Sequence, residues 1–481
     1  MVSVPNPIRL PIWWIGLGLS RVGLVDKHRA KRTVDLAWPR IVTGIARMSK
    51  SAVDIAMVGV AVGQAAIAGL GYAAPFWGLA FTLGGGLAAG TIALVSQRFG
   101  AGTFDQLGQA VRSSAILVVV VTLPIAVLFW MYPTELISLM TNDLEAIALG
   151  GAYLQILALG VPFAALNLVG SRVYIGADDA WTPMVIRAGG ALTNIGLNAV
   201  FIFGLDMGVV GAALGTVLAN VAVTALFGIG LVRGGLPGGV SVPIEINPRG
   251  KYIDFETFTD LIRIGTPVIG RGAVWTGAAF GMLAILALFG QHVVAAYVIS
   301  RSIWDLMNAP GWGFGIAASS LVGQSLGEGE ESVAEAYGYE ITRIAVVSYL
   351  AGAIVVLALA EPIVHLFVDD PGAASVPIAI GLTQAAALAV VANALAGTYA
   401  GALDATGDTK WPFYSGALGM IGLALPLAYL GAVTPLGIWG IYLAYFVQTI
   451  VPAIINRRRF TTGKWKQISR QYRPETPSPG D

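Results

Sequence analysis

Apolar runs of about 20 residues recur about a dozen times along this chain of 481 residues, and each can cross a hydrocarbon core roughly 30 Å thick. In lipid every backbone polar group must be satisfied inside the protein, so such runs become helices or a closed barrel. Barrel strands alternate apolar and polar residues at period two, whereas these runs are apolar on all sides. Charged residues make up only 11% of the chain, against roughly 25% in a soluble domain. The chain is therefore expected to be an all-α polytopic membrane protein. Its twelve expected spans lie at about 36–62, 70–98, 108–132, 146–171, 180–204, 208–232, 258–289, 293–326, 337–360, 376–402, 411–431 and 435–456.

The chain also repeats itself. Gly63-Gln64 through Leu94-Val95, Gln97 and Phe99-Gly100-Ala101-Gly102 return as Gly290-Gln291 through Leu321-Val322, Gln324 and Leu326-Gly327-Glu328-Gly329, at a constant offset of 227 with no gap. Gly84 and Gly86 fall on Gly311 and Gly313 in the same frame. Further on, Ala177 to Pro183 answers Thr406 to Pro412. An even number of spans per repeat gives both halves one orientation, so they are parallel repeats about an axis normal to the membrane. Two apolar halves of this kind are the build of an alternating-access transporter.

The longest polar interval divides the spans six and six. The expected organisation is a cytoplasmic interfacial segment (1–35), an N lobe (36–232), an interlobe loop (233–257), a C lobe (258–456) and a cytoplasmic tail (457–481). The run Pro11–Leu19 is too short to span, and its basic cluster (Arg21, Lys27, Arg29, Lys31, Arg32) follows rather than precedes it. A signal peptide has the reverse order. With Trp13 and Trp14 at its start, the run reads as a helix lying in the cytoplasmic interface. Lys and Arg gather in the tails and in the loops after even spans. The opposite loops hold only acids, among them Glu135, Asp206, Asp369 and Asp370. Positive charge stays on the cytoplasmic side, which puts both termini inside and the protein in the plasma membrane.

A charge at bilayer depth costs at least about 2.5–3.5 kcal/mol, so embedded charges are functional candidates. The first span carries Arg47, Lys50 and Asp54 at spacings of three and four, on one helical face. Asp54 is the candidate carboxylate for loading and unloading a cation; the bland alternative is a neutralised partner of Lys50. Asn194 and Asn198 share a face of the fifth span, and Thr216 lies in the sixth. These polar residues suit interhelical hydrogen bonds worth about 0.6 kcal/mol each; with Asp54 they equally suit oxygen ligation of a hard cation. The second half differs, with Gly277 and Gly281 standing 227 residues after Lys50 and Asp54. There Arg301 and Asp305 are expected to pair. Arg271 has no partner apparent in the sequence, and Gln384 and Asn393 are candidates for a cavity wall with Arg47 and Arg271.

Prolines at or inside spans, including Pro39, Pro75, Pro162, Pro267, Pro310 and Pro452, permit kinks. No enzymatic constellation stands out, since there is no cysteine, no nucleophile elbow, no paired histidine metal motif and no phosphate-cradling loop. An enzyme is not expected, nor is a cofactor or a resident metal. A net charge of +1 singles out no partner class. The expected partners are small organic substrates and the bilayer, with no nucleic acid and no second protomer.

These residues resemble the multidrug and toxic compound extrusion (MATE) family from about Leu36 to Trp465. The resemblance is carried by Pro39, Val53-Asp54, Gly63 and Ala93 to Gly102, then by Asn194 to Gly204 and Gly211 to Thr216. In the second half it rests on Pro310 to Ala317, Leu321 to Gly327 and Ala405 to Thr409. It implies a twelve-helix antiporter that exports amphipathic, often cationic compounds while a proton or sodium ion moves inward. In the DinF-like branch the coupling-cation site lies in the N lobe, around an acid of the first helix with companions on the fifth and sixth; those positions match Asp54, Asn194, Asn198 and Thr216. Two departures matter. Asn198 stands where the branch commonly has an acid, and Lys50 is unusual so deep in the first helix. Both weaken the case for sodium and favour a proton on Asp54 with Lys50 as modulator. The alternative within the superfamily is a flippase of lipid-linked intermediates.

Overall fold

The computed structural model describes residues 6–237, 239–367 and 372–473. Asp369, Asp370 and the extreme ends of both tails lie outside the described residues. The chain is helical almost throughout. Helices α1 (Arg9–Arg21), α2 (Lys27–Ala61), α3 (Gln64–Gly100), α4 (Phe104–Met131), α5 (Pro133–Ser138), α6 (Leu144–Ala158), α7 (Val161–Gly176), α8 (Trp181–Ala199) and α9 (Gly208–Arg233) make up the first half. The second holds α10 (Phe255–Ala287), α11 (Gln291–Gly327), α12 (Glu331–Ala358), α13 (Ala360–His365), α14 (Ser375–Ala405), α15 (Lys410–Ala417), α16 (Leu425–Val433), α17 (Trp439–Thr461) and α18 (Lys464–Ser469).

Each of the twelve expected spans falls on this helical framework. Among the described residues nine helices are long and apolar enough to cross a membrane, and α6 with α7, bent by 52° at their break, makes a tenth. Pro162 sits in the first turn of α7, where its missing N–H costs nothing. The remaining two, α2 and α11, run 35 and 37 residues but carry charged side chains along their length. Five of the expected prolines, at 39, 75, 267, 310 and 452, lie inside helices. The fifth and eleventh spans each contain a π-helical stretch, Val200–Gly204 after α8 and Leu418–Ala424 between α15 and α16. The run Pro11–Leu19 is helical, within α1, and Trp14 is 64% exposed there.

Two compact units divide the chain, Val42–Ile269 and Met1–Ile41 with Gly270–Arg473. The interval 233–257 thus belongs to the first of them. Within the Val42–Ile269 unit it forms a two-stranded turn, Gly235–Leu236 against Val240–Ser241. Arg112 of α4 then holds it by donating to the carbonyls of Asn247 (2.8 Å) and Lys251 (3.0 Å). At its end Asp254 caps α10, its Oδ2 accepting from the backbone N–H (3.0 Å) and hydroxyl (2.7 Å) of Thr257. These bonds hold the Asp254 carboxyl below the usual carboxylate range. Close helix packing relies on glycine where α3 meets α6: a Cβ on Gly69 would lie 2.7 Å from the backbone nitrogen of Gly150.

In the other unit the segment ahead of Ile41 is tied to α12. Arg29 donates twice to the Glu340 carboxylate, at 2.9 and 2.7 Å, and Arg32 donates to Gln324 on α11 at 2.6 Å. Planar guanidinium matches planar carboxylate here, the geometry that makes such pairs specific.

Candidate cation-coupling site

Helix α2 sets Lys50 and Asp54 one turn apart, and the two meet. Lys50 Nζ donates to Asp54 Oδ2 at 2.6 Å. Asp54 is buried, 8% exposed, and its second oxygen accepts from Asn198 Nδ2 at 2.9 Å. Asn198 also donates to Asn194 Oδ1 at 3.4 Å, and Asn194 Nδ2 donates to Thr216 Oγ1 at 3.1 Å. One continuous chain of polar groups therefore runs from α2 through α8 to α9, and all four expected site residues and Lys50 belong to it. Asn194 and Asn198 are fully buried, where an unpaired amide would cost about 1–3 kcal/mol.

The backbone makes room for this chain. Asn198 lies two residues before the π-helical stretch, a feature that re-aims side chains at functional positions. Across from it stands Gly215, where any Cβ would collide with Asn198 Oδ1. That oxygen is buried without a hydrogen-bond partner. The donor set of one carboxylate, two amides and a hydroxyl is chemically that of a hard-cation or proton site. No group of three or more acidic, histidine or cysteine side chains suited to a metal occurs among the described residues.

Beside this chain lies a cavity of about 170 Å³ in the same unit, whose wall includes Arg47, Lys50, Arg187, Trp77, Phe81 and Thr216. The guanidinium of Arg47 stands 4.8 Å from the Phe81 ring centroid, a cation–π contact. Three bases and no acid occur among the wall residues, so the cationic cargo implied by the resemblance finds no carboxylate there. Arg187 was not among the site residues expected from the sequence. A second polar ladder backs the wall. Asn167 donates to Asn220 Oδ1 at 3.0 Å, Thr224 donates to Asn167 Oδ1 at 2.8 Å, and Asn220 donates to the Thr216 carbonyl at 3.0 Å. Sequence reasoning missed this ladder, although the four-residue spacing of Thr216, Asn220 and Thr224 on α9 was its signal.

The candidates of the second half do not form one site. Arg271 has a partner after all: Asp404, at the end of α14, accepts from its Nη2 at 2.8 Å and its Nη1 at 3.4 Å. The 133 residues between them kept this pair out of sight. Asn393 donates to Asn308 Oδ1 at 2.7 Å, where Tyr349 also donates at 3.3 Å. Gln384 is exposed on α14. Arg301 and Asp305 pair as expected, at 3.2 Å, with Trp275 facing the guanidinium.

A family model described as MatE matches residues 39–200 and again 267–430, once in each sequence repeat. The chain belongs to the MatE family. Among curated relatives it is 26% identical to the "Probable multidrug resistance protein NorM" of Bradyrhizobium diazoefficiens, covering 91% of this chain and 95% of that one. It is 29% identical to the "Multidrug resistance protein PmpM" of Pseudomonas aeruginosa, over 88% of this chain and 90% of that one. Among solved structures it superposes with a TM-score of 0.82 and 22% identity on the "outward-facing conformation of a multidrug resistance MATE family transporter", covering 90% and 96% of the two chains. The fold is that of a MATE transporter, and the MatE-family chain described here is a multi-pass membrane protein. MatE-family proteins are transporters rather than enzymes.

Proposed function

We propose that this MatE-family chain is a secondary active antiporter of the plasma membrane that exports small amphipathic organic compounds in exchange for protons carried by Asp54. Both termini lie in the cytoplasm in this reading, following the distribution of Lys and Arg. The observation that carries it is the buried Asp54, held by Lys50 on one oxygen and by Asn198 on the other. The Lys50 ammonium already fills the position from which a sodium ion would contact this carboxylate, and that favours a proton. When Asp54 takes a proton its carboxyl becomes a donor and Lys50 loses its counter-charge. The chain through Asn198, Asn194 and Thr216 must then re-form around a neutral group. This gives proton loading a structural consequence on three helices, as a switch requires.

Purified protein in proteoliposomes with an imposed pH gradient tests this, using a panel of amphipathic dyes of differing charge. Efflux driven by the gradient is expected from the wild type and should be lost in Asp54→Asn. Undiminished proton-driven efflux in that variant, or efflux that follows a sodium gradient and ignores a proton gradient, would refute the reading.

A further inference from the structure

The cavity of the Val42–Ile269 unit holds charge that proton exchange does not use. Its wall includes Arg47, Lys50 and Arg187, and the nearest acid of the site, Asp54, is engaged by Lys50. Arg187 is the informative one. Its Nε is buried without a hydrogen-bond partner, and the charges acting on it are those of Arg172 and Arg47, both of its own sign. A guanidinium so placed is costly unless something anionic joins it, and its planar fork of donors matches a carboxylate.

The rest of the wall has the complementary character. Trp77 and Phe81 lie four residues apart on one face of α3 and bring aromatic side chains to the wall, and Thr216 and Asn220 add neutral polar groups. The volume of about 170 Å³ is close to the roughly 150 Å³ that houses a benzene ring in an engineered cavity.

We propose that this cavity is a binding site for a small aromatic carboxylate, with the anion between Arg187 and Arg47 and the ring against Trp77 and Phe81. An aromatic cation is repelled by this wall, and a neutral ring leaves Arg187 without a counter-charge. Occupancy also bears on the coupling group. The ionisable side chains facing Asp54 are Lys50 from its own helix and Tyr153 from α6. Protonation of Asp54 frees Lys50 and adds a positive charge to the wall, so proton and anion load together and each favours the other. A bound aromatic anion therefore holds the site proton-loaded and slows exchange, acting as an inhibitor rather than as exchanged cargo. This second step rests on the proton-carrying role proposed above; the anion site does not.

Calorimetric titration of the full-length protein in detergent with benzoate, benzylammonium and benzamide separates charge from ring. Benzoate alone is expected to bind, Arg187→Gln to weaken it by about tenfold or more, and Arg187→Lys to restore part of the loss. If Arg187→Gln does not fold, Phe81→Ala is expected to weaken benzoate through the ring contact. Benzylammonium binding as tightly as benzoate, or affinity for benzoate unchanged in either variant, overturns the anion site. Asp54→Asn removes the counter-charge of Lys50 and is expected to bind benzoate more tightly than the wild type at about pH 8. Equal affinity in the two proteins overturns the link to Asp54 and leaves the anion site standing.

Discussion

Lys50 Nζ and Asp54 Oδ2 stand 2.6 Å apart across one turn of α2, with side chains 22% and 11% exposed. Asn198 Nδ2 completes the carboxylate from α8 at 2.9 Å. The pair is intrahelical, so it can form whatever the neighbouring helices do, while the amide contact requires α8 to be in register. The ion pair therefore sets the charge of the site, and the amide reports its geometry.

Breaking this pair from one side should cost more than removing it whole. Lys50→Ala leaves a buried carboxylate with only an amide donor and is expected to lower stability by about 2 kcal/mol at pH 8, below the about 3–5 kcal/mol of a fully enclosed pair because both side chains keep some exposure. Adding Asp54→Asn should return most of that loss, giving a coupling energy above about 1 kcal/mol. Thermal unfolding of the four cycle members in detergent measures it. A coupling near zero would mean that the pair contributes nothing in the folded protein.

Gly215 should be intolerant of any side chain. A methyl group there meets Asn198 Oδ1, and the easiest relief is to turn the amide away from Asp54. Gly215→Ala is expected to cost about 1–3 kcal/mol as overpacking and to reduce proton-driven efflux to the level of Asn198→Ala. Efflux at the wild-type rate in Gly215→Ala, with Asn198→Ala impaired, would show that the collision is absorbed elsewhere.

The framework was legible because it follows from periodic apolar runs and a strict internal repeat, and all twelve expected spans fall on helices. Asp54, Asn194, Asn198 and Thr216 were legible because a polar side chain in an apolar helix stands out and spacing of four assigns it a face. What stayed hidden depends on distance along the chain. Asp404 lies 133 residues from Arg271, and nothing local marks either as the other's partner. Arg187 was visible as a charge but not as part of a wall, because which face of α8 lines the cavity is decided by its packing against α7 and α9. Asn167 belongs to the same class, since its partners Asn220 and Thr224 sit on another helix.

The Asp254 cap gives a pH-dependent local stability at the start of α10. Its carboxyl is held below the usual range by the Thr257 hydroxyl and backbone N–H. The stabilisation is therefore complete above the unfolded value of about 3.9 and is lost as pH falls through the lower folded value. Hydrogen exchange at the Thr257 amide is expected to be unchanged from neutral pH down to about pH 4, after correction for intrinsic rates, and to accelerate below that. Asp254→Ala should remove about 1 kcal/mol of protection at neutral pH and abolish the acid-dependent acceleration. Equal protection in both proteins would rule out the cap.

Arg271 and Asp404 make the sharpest contrast between a structural and a transport role. Asp404 is buried, 7% exposed, and Arg271 reaches it with two nitrogens. Arg271→Ala leaves that carboxylate uncompensated and is expected to cost about 2 kcal/mol, while Arg271→Ala with Asp404→Ala removes both charges and should cost less than the single change. Arg271→Lys keeps the charge but not the two-pronged geometry, and should fall between. If Arg271 only braces the fold, proton-driven efflux per folded molecule recovers in the double variant along with stability. If it contributes to the cavity wall, as its place in the sequence first suggested, stability recovers and efflux does not. Paired unfolding and efflux measurements on the three variants therefore decide which role the arginine has.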